Sequence, residues 1–148
     1  MTEALATLLC TAYAMEKKSL AVIREHLLAT DNPEVGARIR AHFVETQWQI
    51  KLLRACLEIQ GIDEEALDAE SRNCISEIES TNLLTIKRFE INIYKTVIAE
   101  ARKQHMPEIL QCCREILEQE RAMAECIEDN YFTENLSFPK KTWASAAA

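Results

Sequence analysis

The chain has 148 residues, of which 28% are charged, only two are glycine and three are proline. Its formal net charge of -7 argues against nucleic-acid binding, because phosphate recognition requires a basic surface. No uncharged apolar run of about 18 residues predicts a membrane span, and the apolar N-terminus lacks the basic flank of a signal peptide. We therefore expect one cytoplasmic domain of long helices that contacts neither nucleic acid nor membrane.

Two helices are predicted in the first half of the chain, over residues 2–30 and 33–60. Thr2 is a suitable N-cap for the first helix. Pro33 fits the first turn of the second helix, where its missing N–H costs nothing. Gly61 follows the second helix as a left-handed C-terminal cap would. The short break between the two helices predicts an antiparallel hairpin.

The second half repeats this plan after an acidic connection. Residues 61–72 predict a connection long enough to cross one end of a bundle. A third helix is expected to begin within residues 73–80 and to run to His105, and a fourth to run over residues 107–130. The expected architecture is all-α, a ferritin-like four-helix bundle made of two antiparallel hairpins and a long crossover.

This bundle is expected to span residues 1–130. Residues 131–148 are expected to form a C-terminal tail that packs on the bundle in part and then frays. Phe138 and Trp143 are the apolar residues in the tail that can pack.

Each predicted helix carries one glutamate in its apolar row: Glu16, Glu45, Glu90 and Glu120. The rows advance in steps of three and four residues, so each glutamate faces the core. A buried carboxylate must be paired, protonated or bound to a metal. Within each hairpin the two glutamates lie within about 3 Å of the same height. We therefore expect all four carboxylates to meet at mid-bundle.

Such a group is typical of carboxylate-bridged di-iron or di-manganese sites, in which Glu and Glu-x-x-His side chains point inward from four helices. Here His42 precedes Glu45 by three residues, which reverses the usual order. Met123 occupies the position where the fourth helix would supply a second histidine. Lys87 lies one turn before Glu90, and its ammonium can replace part of the metal charge. The ligand set is therefore shorter than a complete two-metal site requires.

Four segments resemble the YciE/YciF family of bacterial stress proteins: residues 12–17 (AYAMEK), 40–47 (RAHFVETQ), 89–95 (FEINIYK) and 117–124 (LEQERAMA). The resemblance covers residues 5–130, and its most specific parts are His-x-x-Glu-Thr and Phe-Glu-Ile. It implies a ferritin-like bundle, often homodimeric, with a proposed two-metal site and no assigned reaction. The ligands that it implies are Glu16, His42, Glu45, Glu90 and Glu120. The family commonly has an acidic residue where this chain has Lys87.

Two functional hypotheses follow. In the first, the protein is a stress-associated protein that binds iron or manganese among these carboxylates. In the second, it is a metal-free scaffold or interaction protein in which Lys87 and Met123 have abolished the site. The position of Lys87 discriminates between them, because its ammonium should turn away from Glu90 around a metal and lie among the carboxylates without one. Whether the protein is an enzyme stays open.

The remaining residues of interest have two interpretations each. Tyr13 and Tyr94 either hydrogen-bond the neighbouring carboxylates or fill the core. Trp48 lies off the inner row and either marks a dimer surface or packs between helices. The six cysteines show no CxxC pair, and we expect reduced core thiols, with Cys74 the candidate for redox chemistry. They are Cys10, Cys56, Cys74, Cys112, Cys113 and Cys126.

Overall fold

The computed structural model describes residues 1–63, 65–69, 72 and 82–134, with side chains as far as residue 129. The described part of the chain is helical and contains no β-strand, as the all-α prediction requires. The four long helices are α1 (Glu3–Ala29), α2 (Pro33–Ile59), α3 (Leu83–Lys103) and α4 (Pro107–Glu134). None of the described helices is long and apolar enough to cross a membrane.

Side-chain caps start three of these helices. The Thr2 hydroxyl accepts a hydrogen bond from the Leu5 N–H, and the Asn32 side chain accepts from the second helix in the same way. Asn82 has an extended backbone and accepts from the Thr85 N–H. This cap makes α3 begin at Leu83, later than the predicted start within residues 73–80, because an extended cap residue cannot be part of the helix. Residues 73–80 lie outside the described part.

Two left-handed residues end α2 and α3. Gly61 has φ 83°, and the next N–H, that of Ile62, donates to the Leu57 carbonyl, as the sequence predicted. His105 takes the equivalent place after α3 with φ 54°, and the following Met106 N–H donates to the carbonyl of residue 101. The fourth helix continues to Glu134, past the predicted limit near residue 130, and the predicted tail beyond it lies outside the described residues.

The helices form a four-cornered bundle in which α1 packs on α2 and α3, and α4 packs on α3 and α2. The Thr2 N–H donates to Gln104 Oε1 at 2.9 Å, and Gln104 Nε2 donates to the Thr2 hydroxyl at 2.7 Å. The start of α1 therefore lies beside the end of α3, so these helices are antiparallel. With two antiparallel hairpins, this order is up-down-down-up and confirms the ferritin-like prediction.

The crossover must therefore travel the length of the bundle, about 30 Å for a helix the size of α3. Residues 65–69 are helical, and Leu67 is fully buried. The Tyr13 hydroxyl donates to Asp68 Oδ1 at 3.0 Å and accepts from Arg54 at 2.8 Å. These contacts attach the crossover to α1 and α2. The Tyr13 hydroxyl therefore donates to Asp68 and not to one of the four predicted glutamates, which was one of the two roles that the sequence allowed.

Candidate metal centre

Three of the four predicted glutamates meet at the centre of the bundle. Glu16 on α1, Glu90 on α3 and Glu120 on α4 are fully buried. Each offers a carboxylate oxygen, and these oxygens lie within 4.8 Å of one another. The local reason is helical periodicity, because each glutamate replaces one apolar residue in an otherwise buried row.

Lys87 lies among these carboxylates. Its side chain is fully buried, and Nζ donates to Glu120 Oε2 at 2.7 Å. The same Nζ forms an ion pair with Glu90 Oε2 at 2.7 Å, but the angle between the two groups does not suit a hydrogen bond. Burial by itself lowers the pKa of Lys87, but attraction to Glu120 and Glu90 outweighs it and raises the pKa above its ordinary value. The ammonium therefore stays charged and bridges two carboxylates.

Tyr94 supports Glu16 across the interface between α3 and α1. Its hydroxyl donates to Glu16 Oε1 at 2.6 Å, within the buried core. Burial and the neighbouring carboxylates raise the pKa of Tyr94 well above its usual value, so the phenol remains a donor. The sequence had placed Tyr94 beside Glu90 on one helix row, whereas the hydrogen bond goes to the opposite helix.

The fourth predicted ligand, Glu45, lies apart from the other three. Its side chain is 31% exposed, and Oε1 contacts His42 Nδ1 at 3.0 Å and Arg38 at 3.3 Å. The hydrogen bond with His42 is the main cause of a lowered pKa for Glu45. The buried row of α2 instead runs through His42, Thr46 and Gln49. Glu45 is therefore turned about 100° from Thr46, toward the bundle edge.

His42 connects Glu45 to the central group. Its ring is fully buried, and Nε2 lies 3.7 Å from Glu120 Oε2, too far for a hydrogen bond. Burial, followed by the nearby charge of Lys87, lowers the pKa of His42 and favours the neutral ring. A neutral imidazole is the form that binds a metal.

Several buried acceptors in this group have no donor among the described residues: Glu16 Oε2, Glu90 Oε1, Glu120 Oε1 and His42 Nε2. Protonation of Glu16 and Glu90 accounts for part of these unpaired oxygens. Burial, with repulsion from Glu120, raises the pKa of Glu16 to about 8, and burial with repulsion from Glu16 raises that of Glu90 well above its usual value. Although burial opposes it, the Lys87 charge lowers the pKa of Glu120. Near neutral pH, protonated Glu16 and Glu90 therefore lie beside one ionised Glu120–Lys87 pair.

Other polar residues around this group gave weaker signals in the sequence. Ser19, one turn after Glu16, is fully buried, and its hydroxyl has no partner among the described residues. Gln49 Nε2 donates to Gln119 Oε1 at 2.8 Å, which joins α2 to α4. Gln119 was missed because it adjoins Glu120 and falls off the regular row. Met123 is fully buried where the family motif expects a histidine, so α4 supplies no imidazole at that position.

The donor set fits one divalent cation better than two. A two-metal site of this class uses about four carboxylates and two histidines. This group has three carboxylates and one imidazole, and the Lys87 ammonium already supplies one positive charge at 2.7 Å from both Glu90 and Glu120. Three carboxylates and one ammonium leave two negative charges, which a single divalent cation neutralises.

Comparisons with known proteins agree with this fold. A crystal structure of a protein from Xanthomonas campestris pv. campestris matches with a TM-score of 0.70 and 27% identity, covering 86% of this chain and 88% of that one. The crystal structure of the E. coli stress protein YciF matches with a TM-score of 0.64 and 20% identity, covering 86% and 91%. A search of curated proteins found no match. The model of a protein family described as "Domain of unknown function (DUF892)" matches residues 1–135. The predicted resemblance to YciF-like proteins is thereby confirmed, and the chain belongs to the DUF892 family.

Proposed function

We propose that the central group, Glu16, Glu90 and Glu120 with His42, binds one divalent iron or manganese ion. The observation that carries this proposal is the fully buried set of three carboxylates, each with at least one oxygen that accepts no hydrogen bond from the described residues. Hard divalent cations favour carboxylate oxygens, and imidazole adds affinity for iron. Lys87 takes the place of a second cation, so the proposed site is mononuclear and not the two-metal site of the family resemblance.

The chain's own residues supply the environment of this site. Tyr94 holds the Glu16 carboxylate by a hydrogen bond, and His42 is held by Glu45, which fixes the direction of its free nitrogen. Apolar side chains exclude bulk water from the bundle centre. A bound iron or manganese ion would supply Lewis acidity and, for these metals, one-electron redox chemistry. The reaction itself has no assignment.

The second candidate is the metal-free scaffold, and the position of Lys87 favours it. The ammonium lies 2.7 Å from both Glu90 and Glu120, which is the arrangement expected of a core stabilised without metal. With Glu16 and Glu90 protonated, the group is neutral as it stands. Both candidates are compatible with a stress-associated role in the cytoplasm, because YciF, whose fold this chain shares, is a stress protein of E. coli.

Metal stoichiometry distinguishes the candidates. The full chain is loaded anaerobically with Fe(II) or Mn(II), desalted and measured by mass spectrometry of its metals. We expect about one ion per chain, lost in Glu16→Ala, and about two in Lys87→Glu, which restores an acidic ligand. Glu58→Ala is the matched control, because Glu58 is an exposed glutamate on α2 outside the central group and its loss should leave one ion bound.

Each result has a distinct meaning. Two ions in the unmodified chain would contradict the mononuclear site, and loss of metal in Glu58→Ala would show that the bound ion does not lie in the central group. If the unmodified chain binds no metal and Lys87→Glu does, the metal-free candidate is correct and Lys87 is the residue that prevents metal binding. If Lys87→Glu also stays empty while circular dichroism shows it folded, the central group is not a metal site.

We also propose that the protein is a homodimer joined through α2. An exposed row of mainly apolar residues follows this helix at spacings of three, four and seven: Ala37, Ala41, Val44, Trp48, Ala55 and Ile59. Val44, Trp48 and Ile59 are 59%, 58% and 79% exposed. A continuous apolar row on a helix that is already packed on its other face is typical of a subunit interface.

A further inference from the structure

The boundary between α2 and α4 has a register that one hydrogen bond defines. Gln49 on α2 bonds Gln119 on α4 at 2.8 Å, and the two helices run antiparallel. Seven residues are nearly two helical turns and return to the same face. Seven residues after Gln49 is Cys56, and seven before Gln119 is Cys112. The register therefore places Cys56 and Cys112 opposite each other.

The two thiols are close enough to influence each other. Cys112 is the main cause of a raised pKa for Cys56, and the adjacent Cys113 is the main cause of a raised pKa for Cys112. All three are free thiols, with Cys56 and Cys112 partly exposed and Cys113 buried in the core. Cys112 and Cys113 are neighbours within a helix, where a disulfide would disrupt the backbone. Cys56 and Cys112 belong to different helices and have no such restriction.

A surface groove gives an oxidant access to this pair. It has a volume of about 480 Å³, and its lining includes Cys112 together with Leu52, one turn before Cys56, and Pro107, the first residue of α4. The groove therefore opens at Cys112, at the end of the bundle where α2 ends and α4 begins. A molecule the size of hydrogen peroxide fits within it.

We propose that Cys56 and Cys112 are a modification site, which a hydroperoxide oxidises to a disulfide that links α2 to α4. In the first step one thiol sulfur attacks the peroxide oxygen, which forms a sulfenic acid and releases water from hydrogen peroxide. In the second step the other thiol attacks that sulfur, forms the S–S bond and releases a second water. Two thiols lose two electrons and two hydrogens, and one peroxide O–O bond is reduced.

The bond would join the two hairpins at a weakly packed boundary. Among the neighbouring helix pairs, α2 and α4 make the least contact, so a small approach of these helices can close the remaining gap between the sulfurs. Without this bond, the chain joins the two hairpins covalently through the crossover after Gly61. A cross-link from Cys56 to Cys112 encloses that crossover and all of α3, and a closed loop of this length strongly restricts the unfolded chain.

The thiol chemistry indicates a slow response. The neighbouring Cys112 and burial raise the pKa of Cys56, and the neighbouring Cys113 is the main cause that raises the pKa of Cys112 to about 12. Because the thiolate is the reactive form, these thiols react slowly near neutral pH. The pair therefore suits a structural response to sustained oxidant and not rapid turnover of peroxide.

The test uses the full chain, fully reduced, freed of reductant and treated with hydrogen peroxide in the presence of a chelator. We expect the intact mass to fall by two hydrogens, non-reducing peptide maps to link the peptides that contain Cys56 and Cys112, and a thiol reductant to reverse the change. The Tm of the oxidised chain should exceed that of the reduced chain by roughly 5–10 °C.

Variants identify the pair. Cys56→Ser and Cys112→Ser should each abolish both the mass loss and the Tm increase. Cys113→Ser shows which of the two adjacent cysteines reacts, and this variant should keep both the mass loss and the Tm increase. Cys126→Ser, at another partly buried cysteine of α4, is the matched control and should behave as the unmodified chain. Thermal scans of the reduced variants show whether each one folds. A disulfide that survives Cys56→Ser, a link that pairs a different cysteine, or addition of oxygen without any cross-link would overturn the proposal.

Discussion

At the residue scale, Lys87 decides the chemistry of the bundle centre. A lysine in a buried row is strongly disfavoured unless its charge is matched, and here two carboxylate oxygens at 2.7 Å match it. The same ammonium makes Glu120 the ionised member of the group, although burial alone would keep all three glutamates protonated. A buried ion pair of this kind is weak evidence for added stability, but it determines which side chains carry charge.

The raised pKa of Glu16 predicts that the metal-free protein loses stability as the pH rises. The folded pKa is about 8 against an ordinary value of 4.5, so between these values the unfolded chain has released a proton that the folded chain still holds. Glu16 therefore makes the free energy of unfolding fall with pH across this window by about 1.4 kcal/mol for each pH unit, and Glu90, whose pKa is also raised, adds to this fall. Below pH 6.5, the lowered pKa of His42 acts in the opposite direction, because the unfolded ring then gains a proton first.

The measurement is chemical unfolding in a chelator at about pH 6.5 and about pH 8, the interval in which Glu16 acts without His42. We expect Glu16→Gln, which keeps the acceptor for Tyr94, to make the decrease smaller and to leave the part that Glu90 contributes. The matched control is Glu25→Gln, an exposed glutamate on the same helix, and it should retain the slope of the unmodified chain. Equal slopes in all three proteins would show that Glu16 does not hold a proton in this interval.

At the element scale, the ends of the helices follow from local chemistry. Side-chain caps at Thr2, Asn32 and Asn82 satisfy N–H groups that a helix start leaves open. After α2 the left-handed position is Gly61, whereas after α3 it is His105. A residue with a Cβ is strained in this conformation. The end of α3 therefore carries backbone strain at His105 that the end of α2 does not carry at Gly61.

We predict that His105→Gly stabilises the protein by about 0.5–1 kcal/mol, because removal of left-handed strain exceeds the entropy that glycine adds to the unfolded chain. The reciprocal change, Gly61→Ala, should destabilise it by about 1 kcal/mol. A Cβ at Gly61 meets nothing within 4 Å, so that cost comes from the backbone alone. Thermal unfolding at fixed pH measures both changes. A destabilised His105→Gly would mean that the imidazole makes a contribution larger than the backbone strain.

At the scale of the whole molecule, the up-down-down-up order brings α1 beside α3 and lets helices from both hairpins supply the central group. The apolar row on α2 stays outside this arrangement, and its most exposed aromatic residue is Trp48. Burial of such a row in a second copy is the physical basis of the proposed homodimer. A stable dimer of this type requires roughly 1,200 Å² or more of buried surface.

We predict that Trp48→Glu weakens the dimer at least about tenfold, because it places an unpaired charge in an apolar interface. Light scattering coupled to size-exclusion chromatography over a dilution series measures the dissociation constant. Phe89→Glu changes an aromatic residue on α3 that is 50% exposed and lies outside the row, so it should not alter the constant. A monomeric unmodified chain, or a dimer insensitive to Trp48→Glu, would exclude the α2 interface.

The sequence by itself determined the helices, their two hairpins, the Gly61 cap and the inward direction of Glu16, Glu90 and Glu120, because periodicity and capping depend on residues within a few turns of one another. Only the tertiary structure decided that Glu45 turns to the bundle edge, that Tyr94 serves Glu16 on another helix and that Lys87 bridges Glu90 and Glu120. It also decided the register of α2 against α4, which places Cys56 opposite Cys112. These outcomes depend on the rotation and register of one helix against another, and long side chains reach several Å from their backbone. No periodicity within a single helix encodes that relation.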